Sequence, residues 1–189
     1  MTKADFQKRL TDGESFEQEL IELLNAMPDI VDVIENGTEH THPGFIDQLR
    51  KNKTEQSKLL RFAPDGVFLQ SDESIIHYDA KASRSIERDA YETYQKYWNM
   101  GFRIVIFVRP PRKSTIHWQW LDQIRFLDSH EEVSRYDRQF PVDQDGWILP
   151  RSDGDWYYGS HMSGTPFRYF DFSSFNRLDV SANKPLSLV

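Results

Sequence analysis

The segment from Phe102 to Val108, FRIVIFV, constrains the fold most, because it is almost continuously apolar. A strand with one face in water would alternate apolar and polar residues, and this one does not. It predicts a strand buried on both faces, within a sheet that is covered by helices on both sides. Pro110 and Pro111 end it, since proline gives no backbone donor to a sheet.

The preceding segments supply the other parts of such a sheet. Thr11 to Met27 carries apolar residues at helical spacing before Pro28, and residues 85–100 predict a second amphipathic helix. Residues 116–127 fit a strand or a short helix equally well. Three strands are expected before the second helix, at 30–34, 60–69 and 74–82. The order helix, three strands, helix, strand predicts an α/β fold with a central mixed sheet of four to five strands flanked by helices.

Composition limits the class of protein. The 189 residues suit a core at 1–128, with an inserted basic segment at 40–61, and an aromatic-rich C-terminal extension at 129–189 packed on that core. There is no cysteine, which excludes disulfides and cysteine-based metal sites. The sequence has no signal-peptide pattern and no apolar run of membrane-spanning length, so a cytoplasmic protein without a membrane partner is expected.

Three charged residues fall on the two strands around residues 60–82, where apolar side chains are expected. Alternation along the second strand places Asp79 and Lys81 on one face. A hairpin turn near residues 71–73 would bring Asp65 alongside them. Two neighbouring carboxylates repel each other unless a cation joins them, and carboxylate oxygens suit Mg²⁺ or Mn²⁺. This pattern predicts a divalent-metal site on rigid strands.

The first helix offers a third acid. Glu17 falls within the apolar stripe centred on Leu20, and a carboxylate that faces a core is costly unless it is paired. Glu17 is therefore expected to reach the metal directly or through water, or else to be a residue on the helix flank. Lys81 beside such a metal would orient a water molecule and stabilise charge on a phosphate.

These residues resemble a known superfamily. Pro64-Asp65 followed by Asp79-Ala80-Lys81 resembles the signature of the PD-(D/E)xK nucleases, which have the restriction-endonuclease-like fold. Residues 13–17, GESFE, resemble the acidic helix that often precedes the signature. The resemblance covers about 11–108. It implies that Asp65, Asp79, the carbonyl of Ala80 and Glu17 hold the metal, and that Lys81 is the catalytic lysine.

The resemblance also implies a function and further site residues. A Mg²⁺- or Mn²⁺-dependent endonuclease is expected, with DNA favoured over RNA as the partner and a homodimer as one arrangement for cutting both strands. The second helix would add a polar residue near the site, for which Tyr91, Tyr94 and Gln95 are the candidates. The net charge of −7 opposes general attraction to nucleic acid. Binding of nucleic acid is therefore expected to depend on a locally basic segment. The residues expected to bind nucleic acid are Gln95 and the basic side chains Arg50, Lys51, Lys53, Lys58 and Arg61.

Alternatives remain at several positions. The basic segment is equally well explained as a solvated helix or loop face. His40 and His42 suit a loop better than a metal site, whereas His77 shares the face of Asp79. The C-terminal aromatic residues would either pack on the sheet or on a partner, or stack on unpaired bases. The alternative function for the whole protein is that of a catalytically inactive nucleic-acid-binding or assembly protein with the same fold.

Overall fold

The computed structural model describes residues 3–36, 43–52, 54–135, 140–149 and 165–178. Five α-helices and two single-turn 3₁₀ helices are present in these residues, the latter at Leu121–Gln123 and Phe172–Ser174. None of the helices within the described ranges is long and apolar enough to cross a membrane. The α-helices are α1 (Lys3–Asn25), α2 (Pro43–Lys51), α3 (Glu55–Arg61), α4 (Arg88–Asn99) and α5 (Ser129–Arg135).

The described strands form one six-stranded mixed sheet and one two-stranded sheet. The large sheet has the order β1-β2-β3-β5-β6-β8, in which β3 and β5 are parallel and all other neighbours are antiparallel. In the small sheet, β4 pairs with β7. The strands are β1 (Ile30–Glu35), β2 (Gly66–Gln70), β3 (Ile75–Lys81), β4 (Ser85–Glu87), β5 (Ile104–Val108), β6 (His117–Trp120), β7 (Phe167–Tyr169) and β8 (Asn176–Arg177).

The strand β5 is buried along its whole length, which confirms the prediction made from its apolar run. On one face of the sheet, α1 contributes Phe16, Leu20 and Leu24 to a core that includes Val105 and Phe107. On the other face, Ala90 and Tyr94 of α4 pack with Ile104, Ile106 and Val108. The sheet therefore has helices on both faces, and β3 lies beside β5 at its centre.

Several predicted boundaries were wrong. The first helix begins at Lys3 rather than Thr11. The strand expected at 60–69 begins only at Gly66, because residues 55–61 form α3, whose start is capped by the Thr54 side chain. The helix expected from residue 85 begins at Arg88, because residues 85–87 extend to pair with β7. Residues 116–127 contain both alternatives, since β6 (His117–Trp120) is followed by a single-turn 3₁₀ helix. The sheet has six strands instead of four or five, because the short β8 pairs with β6 at its far edge.

The basic segment predicted at 40–61 includes the two short helices α2 and α3. The second of them is tied to α4 by ion pairs of Lys58 with Asp89 and of Lys96 with Glu55, and by a hydrogen bond from the Tyr97 hydroxyl to the Leu59 carbonyl. Its serine, Ser57, is buried. The segment is therefore partly a packed element and not only a solvated face.

The described aromatic residues near the C-terminus pack against the sheet. Phe170 is fully buried in the same core as Ile104 and Ile106, and its ring contacts those of Phe126, Phe172 and Phe175. Trp147 is buried beside Tyr91. The buried rings of Phe170 and Trp147 are not available to stack on bases in this arrangement. The aromatic residues within 150–164 lie outside the described residues.

Gly66 begins β2 at a place where the backbone cannot accept a side chain. A Cβ atom at residue 66 would lie 2.5 Å from the Tyr78 ring and 2.6 Å from the Ile34 carbonyl oxygen. Gly66 also follows Asp65 directly and lies opposite Tyr78 in the sheet. The glycine thus allows three strands to approach each other next to the acidic residues.

We expect Gly66→Ala to lower the free energy of unfolding by about 1–3 kcal/mol, because the added methyl group must push apart a buried ring and a carbonyl group. Denaturant titration followed by circular dichroism measures the change. Gly13→Ala is the matched control, since Gly13 lies within α1 with open space around it. Alanine there should stabilise the protein by about 0.5–1 kcal/mol. Equal effects of both substitutions would contradict this account.

Candidate functional site

The centre of the candidate site is the pair of Asp79 and Lys81 on β3. Asp79 has no solvent exposure, and the Lys81 ammonium nitrogen lies 2.9 Å from each of its carboxylate oxygens. The lysine side chain remains 25% exposed. Asp79 lies opposite Ile106 and Lys81 opposite Val108, so both belong to the part of β3 that pairs with the fully buried strand β5. The prediction that these two side chains are neighbours on one face is confirmed.

Helix α4 adds Tyr94 to this pair. Its buried hydroxyl donates a hydrogen bond to Oδ1 of Asp79 and lies 3.5 Å from Nζ of Lys81. The lysine ammonium also lies 5.8 Å from the centre of the Tyr94 ring. Of the three α4 candidates, Tyr94 is the one that contacts the acid and the lysine. Gln95 instead hydrogen-bonds Tyr91, which packs on Phe126.

Asp65 approaches the pair from the residue just before β2. Its Oδ2 atom accepts a 2.8 Å hydrogen bond from the backbone N–H of Ala80. This bond fixes the carboxyl group against the middle of the Asp79-Ala80-Lys81 triplet. The next residue, Gly66, lies opposite Tyr78, which precedes Asp79, so the hairpin aligns the two acids as predicted.

The charges of the site interact strongly. Burial raises the pKa of Asp65 well above its usual value, and the Asp79 carboxylate raises it further, while Lys81 acts in the opposite direction. Glu17 of α1 is close enough to contribute to the same upward shift. Burial opposes the charged form of Lys81, but its interactions with Asp79 above all outweigh this and raise the lysine pKa. Burial also raises the pKa of Tyr94, which keeps its hydroxyl protonated as a donor.

The donor set fits a hard divalent cation in part. Asp65 and Asp79 supply carboxylate oxygens from adjacent elements, and Oδ2 of Asp79 is buried without a hydrogen bond of good geometry, although Lys81 is near it. Such an oxygen is suited to accept a cation. However, within the described ranges no three His, Asp or Glu residues converge closely enough to hold a metal ion. Glu17 interacts with the site electrostatically but completes no such group.

The predicted nucleic-acid-binding residues are dispersed. Lys51 is exposed at the end of α2, and Arg50 belongs to the same helix. Lys58 is paired with Asp89, and the Arg61 guanidinium lies 4.2 Å above the Phe62 ring. Lys53, His40 and His42 lie outside the described residues. The structure thus places none of the described basic side chains in contact with Asp79 or Lys81.

Basic residues closer to the site follow the ends of β3 and β5. Arg84 is exposed three residues after Lys81, and Arg112 and Lys113 are exposed after β5. The backbone N–H of Arg109 donates to the Lys81 carbonyl, which joins the two strand ends. Arg109 itself is ion-paired with Glu19 and lies above the Phe16 ring. In the sequence, Arg84 follows β3, and Arg112 and Lys113 follow β5. Residues that follow neighbouring parallel strands lie at the same edge of a sheet, and this position is the sequence signal for these basic residues.

His77 lies on the same strand as Asp79 but in different surroundings. Its ring packs edge-on against Phe102, with centroids 4.9 Å apart, and burial lowers its pKa. Nδ1 of the ring is buried without a hydrogen bond to the described residues. No contact joins His77 to the acids within the part of the chain that the structure describes, so the histidine is a packing residue here.

No protein-family description fits the chain, and none of the curated proteins resembles it significantly. The function must therefore be argued from the site.

We expect Asp65→Asn to raise the thermal stability of the metal-free protein at neutral pH. The pKa of Asp65 is raised in the folded state, so the folded protein holds the proton more tightly than the unfolded chain. The carboxyl group therefore costs no stability below the unfolded pKa of about 4 and destabilises progressively above it, up to the folded pKa. The amide oxygen of asparagine can still accept from Ala80.

The measurement is the melting temperature of both proteins between pH 3 and pH 8 in EDTA, and the gain should vanish at the acidic end. Asp72→Asn is the control with the opposite sign, because hydrogen bonds from Ser74 lower the pKa of Asp72. That variant should be the less stable one above the unfolded pKa. A stability loss for Asp65→Asn at neutral pH would contradict the electrostatic account.

Proposed function

We propose that the chain is a Mg²⁺- or Mn²⁺-dependent endonuclease that hydrolyses phosphodiester bonds of nucleic acid, with DNA favoured over RNA. The observation that carries this proposal is the convergence of Asp65, Asp79 and Lys81 at the centre of the sheet. A buried acid pair with a lysine is expensive for a fold to keep and is suited to phosphoryl chemistry.

The topology gives independent support. Helix α1, the strands β1 to β3, helix α4 and strand β5 follow the order of the restriction-endonuclease-like core that the sequence resembles. The acids lie on β3 and just before β2, as the signature of that superfamily requires. Strands provide more accurate placement for such groups than loops do.

The proposed reaction is the attack of a water oxygen on phosphorus, with cleavage of one phosphorus–ester oxygen bond. Asp65, Asp79, the Ala80 carbonyl and Glu17 are the groups that would hold the cation. When bound, the cation would favour ionisation of the attacking water and neutralise phosphate charge. Lys81 would donate hydrogen bonds to the water and to a non-bridging phosphate oxygen. Tyr94 would hold the Asp79 carboxylate in position beside Lys81 through its hydrogen bond.

The nucleic-acid backbone would cross the ends of β3 and β5. Arg84 is exposed three residues after Lys81, and Arg112 and Lys113 are exposed four and five residues after Val108, which pairs with Lys81. Basic side chains bind phosphates without regard to sequence. Lys51, exposed at the end of α2, would be a more distant phosphate contact. Cutting both strands of a duplex would call for two copies of the chain.

The second candidate is an assembly protein in which Asp79 and Lys81 form a structural ion pair. One observation favours it: Ile34 on the edge strand β1 and Ile75 at the start of β3 are 56% and 61% exposed. Exposed apolar side chains on a sheet are available for a partner. The two candidates differ in whether divalent metal changes the behaviour of the protein.

We expect the wild-type protein to cleave single-stranded or duplex DNA with Mn²⁺ or Mg²⁺, and not in EDTA. Lys81→Ala and Asp79→Asn should each reduce the rate on the order of 10²–10³-fold or more, since each removes a group that stabilises the transition state. Gel analysis of labelled DNA and RNA gives the rates and identifies the preferred polymer.

The matched control is Lys96→Ala, which removes a lysine that is ion-paired with Glu55 on the outer surface of α4. It should cleave at nearly the wild-type rate. Activity that persists in Asp79→Asn would reject the proposed site. Absence of both cleavage and metal-dependent stabilisation in the wild type would favour the assembly protein.

A further inference from the structure

Lys81 lies where a cation would bind Asp79. Its ammonium nitrogen is 2.9 Å from both carboxylate oxygens, so the lysine contacts both oxygens of Asp79 and not one alone. Asp79 is fully buried, and its other neighbour is the Tyr94 hydroxyl on Oδ1. Among the described residues, the lysine is thus the only positive charge recorded in contact with this acid.

A divalent cation needs the same oxygens at a shorter distance, about 2.0–2.6 Å. The ammonium group and the metal would then be separated by only a few ångströms, in surroundings where water screens their repulsion poorly. A cation on the same carboxylate is therefore repelled by the ammonium group as long as the lysine keeps both of its contacts.

We propose that Lys81 is a built-in competitor of the metal, which neutralises Asp79 in the metal-free protein and must leave that carboxylate when a divalent cation binds. This inference rests on the proposed function, since it concerns the same site. The displaced ammonium group can move toward solvent, because a quarter of the Lys81 side chain is already exposed and its four-carbon stem is flexible.

The displacement would join two roles in one residue. Before metal binds, Lys81 compensates a buried charge that would otherwise destabilise the sheet. After metal binds, the ammonium group is turned away from Asp79 and is available to the water and the phosphate. The protein would thereby carry its full catalytic arrangement only when the metal is present.

The test is calorimetric titration of the full chain with Mn²⁺, comparing wild type, Lys81→Met and Lys96→Met. Methionine keeps most of the lysine stem and removes the charge. We expect Lys81→Met to bind Mn²⁺ at least tenfold more tightly than wild type. Lys96→Met makes the same change in net charge away from the site, and its affinity should equal that of wild type. Equal or weaker binding by Lys81→Met overturns the inference.

A second measurement uses only the wild-type protein, in case Lys81→Met does not fold. Labelling with an amine-reactive reagent, read by mass spectrometry, should modify Lys81 several-fold faster with Mn²⁺ than with EDTA. The labelling of Lys113, which is already exposed without metal, should not change. Labelling of Lys81 that is unchanged or slower with Mn²⁺ counts against displacement.

The outcomes separate the two proposals. Metal-dependent cleavage by the wild type, without tighter binding by Lys81→Met and without faster labelling, rejects only the competition by Lys81. Absence of both Mn²⁺ binding and cleavage in the wild type rejects the endonuclease as well.

Discussion

The burial of the Asp79 carboxylate is the constraint on which the centre of this structure depends. A carboxylate without solvent costs several kcal/mol unless positive charge and hydrogen bonds compensate it. Lys81 and Tyr94 provide that compensation, one from the same strand and one from the helix that covers it. The packing of α4 on the sheet is therefore specified by a polar contact as well as by Ala90 and the apolar face of β5.

The neighbouring acid makes the arrangement less favourable. Asp65 has a pKa well above its usual value because it is buried beside Asp79, and the charge of Lys81 and the backbone hydrogen bond from Ala80 offset this only in part. Replacing buried ionic groups by apolar ones is often neutral or stabilising. The fold alone thus gives little reason for two acids and a lysine at this place, whereas cation binding gives a physical one.

Much of this arrangement could be predicted from the sequence, because strand alternation and a short hairpin are local rules. They place Asp79 beside Lys81 and bring Asp65 opposite them, and the apolar run in β5 indicates a sheet covered on both faces. Tyr94 could not be chosen over Tyr91 and Gln95, because the rotation of α4 is set by tertiary packing. The strand β4 was missed for the same reason: residues 85–87 form a strand only because β7 returns to pair with them.

The contact of Lys81 with Asp79 also bears on how a structural ion pair can be distinguished from a catalytic one. A structural pair gains from being closed and dry, with both partners fixed. Here Asp79 is fully buried and a quarter of the Lys81 side chain is exposed. The acid is therefore fixed in the core, whereas the lysine borders on solvent. Tyr94 strengthens this asymmetry, since its hydroxyl holds Asp79 through a hydrogen bond but lies at 3.5 Å from the lysine. A carboxylate that is held in place while its counter-ion can move away suits exchange of that counter-ion, and the second carboxylate of Asp65 would favour the divalent cation that we propose as the exchange partner.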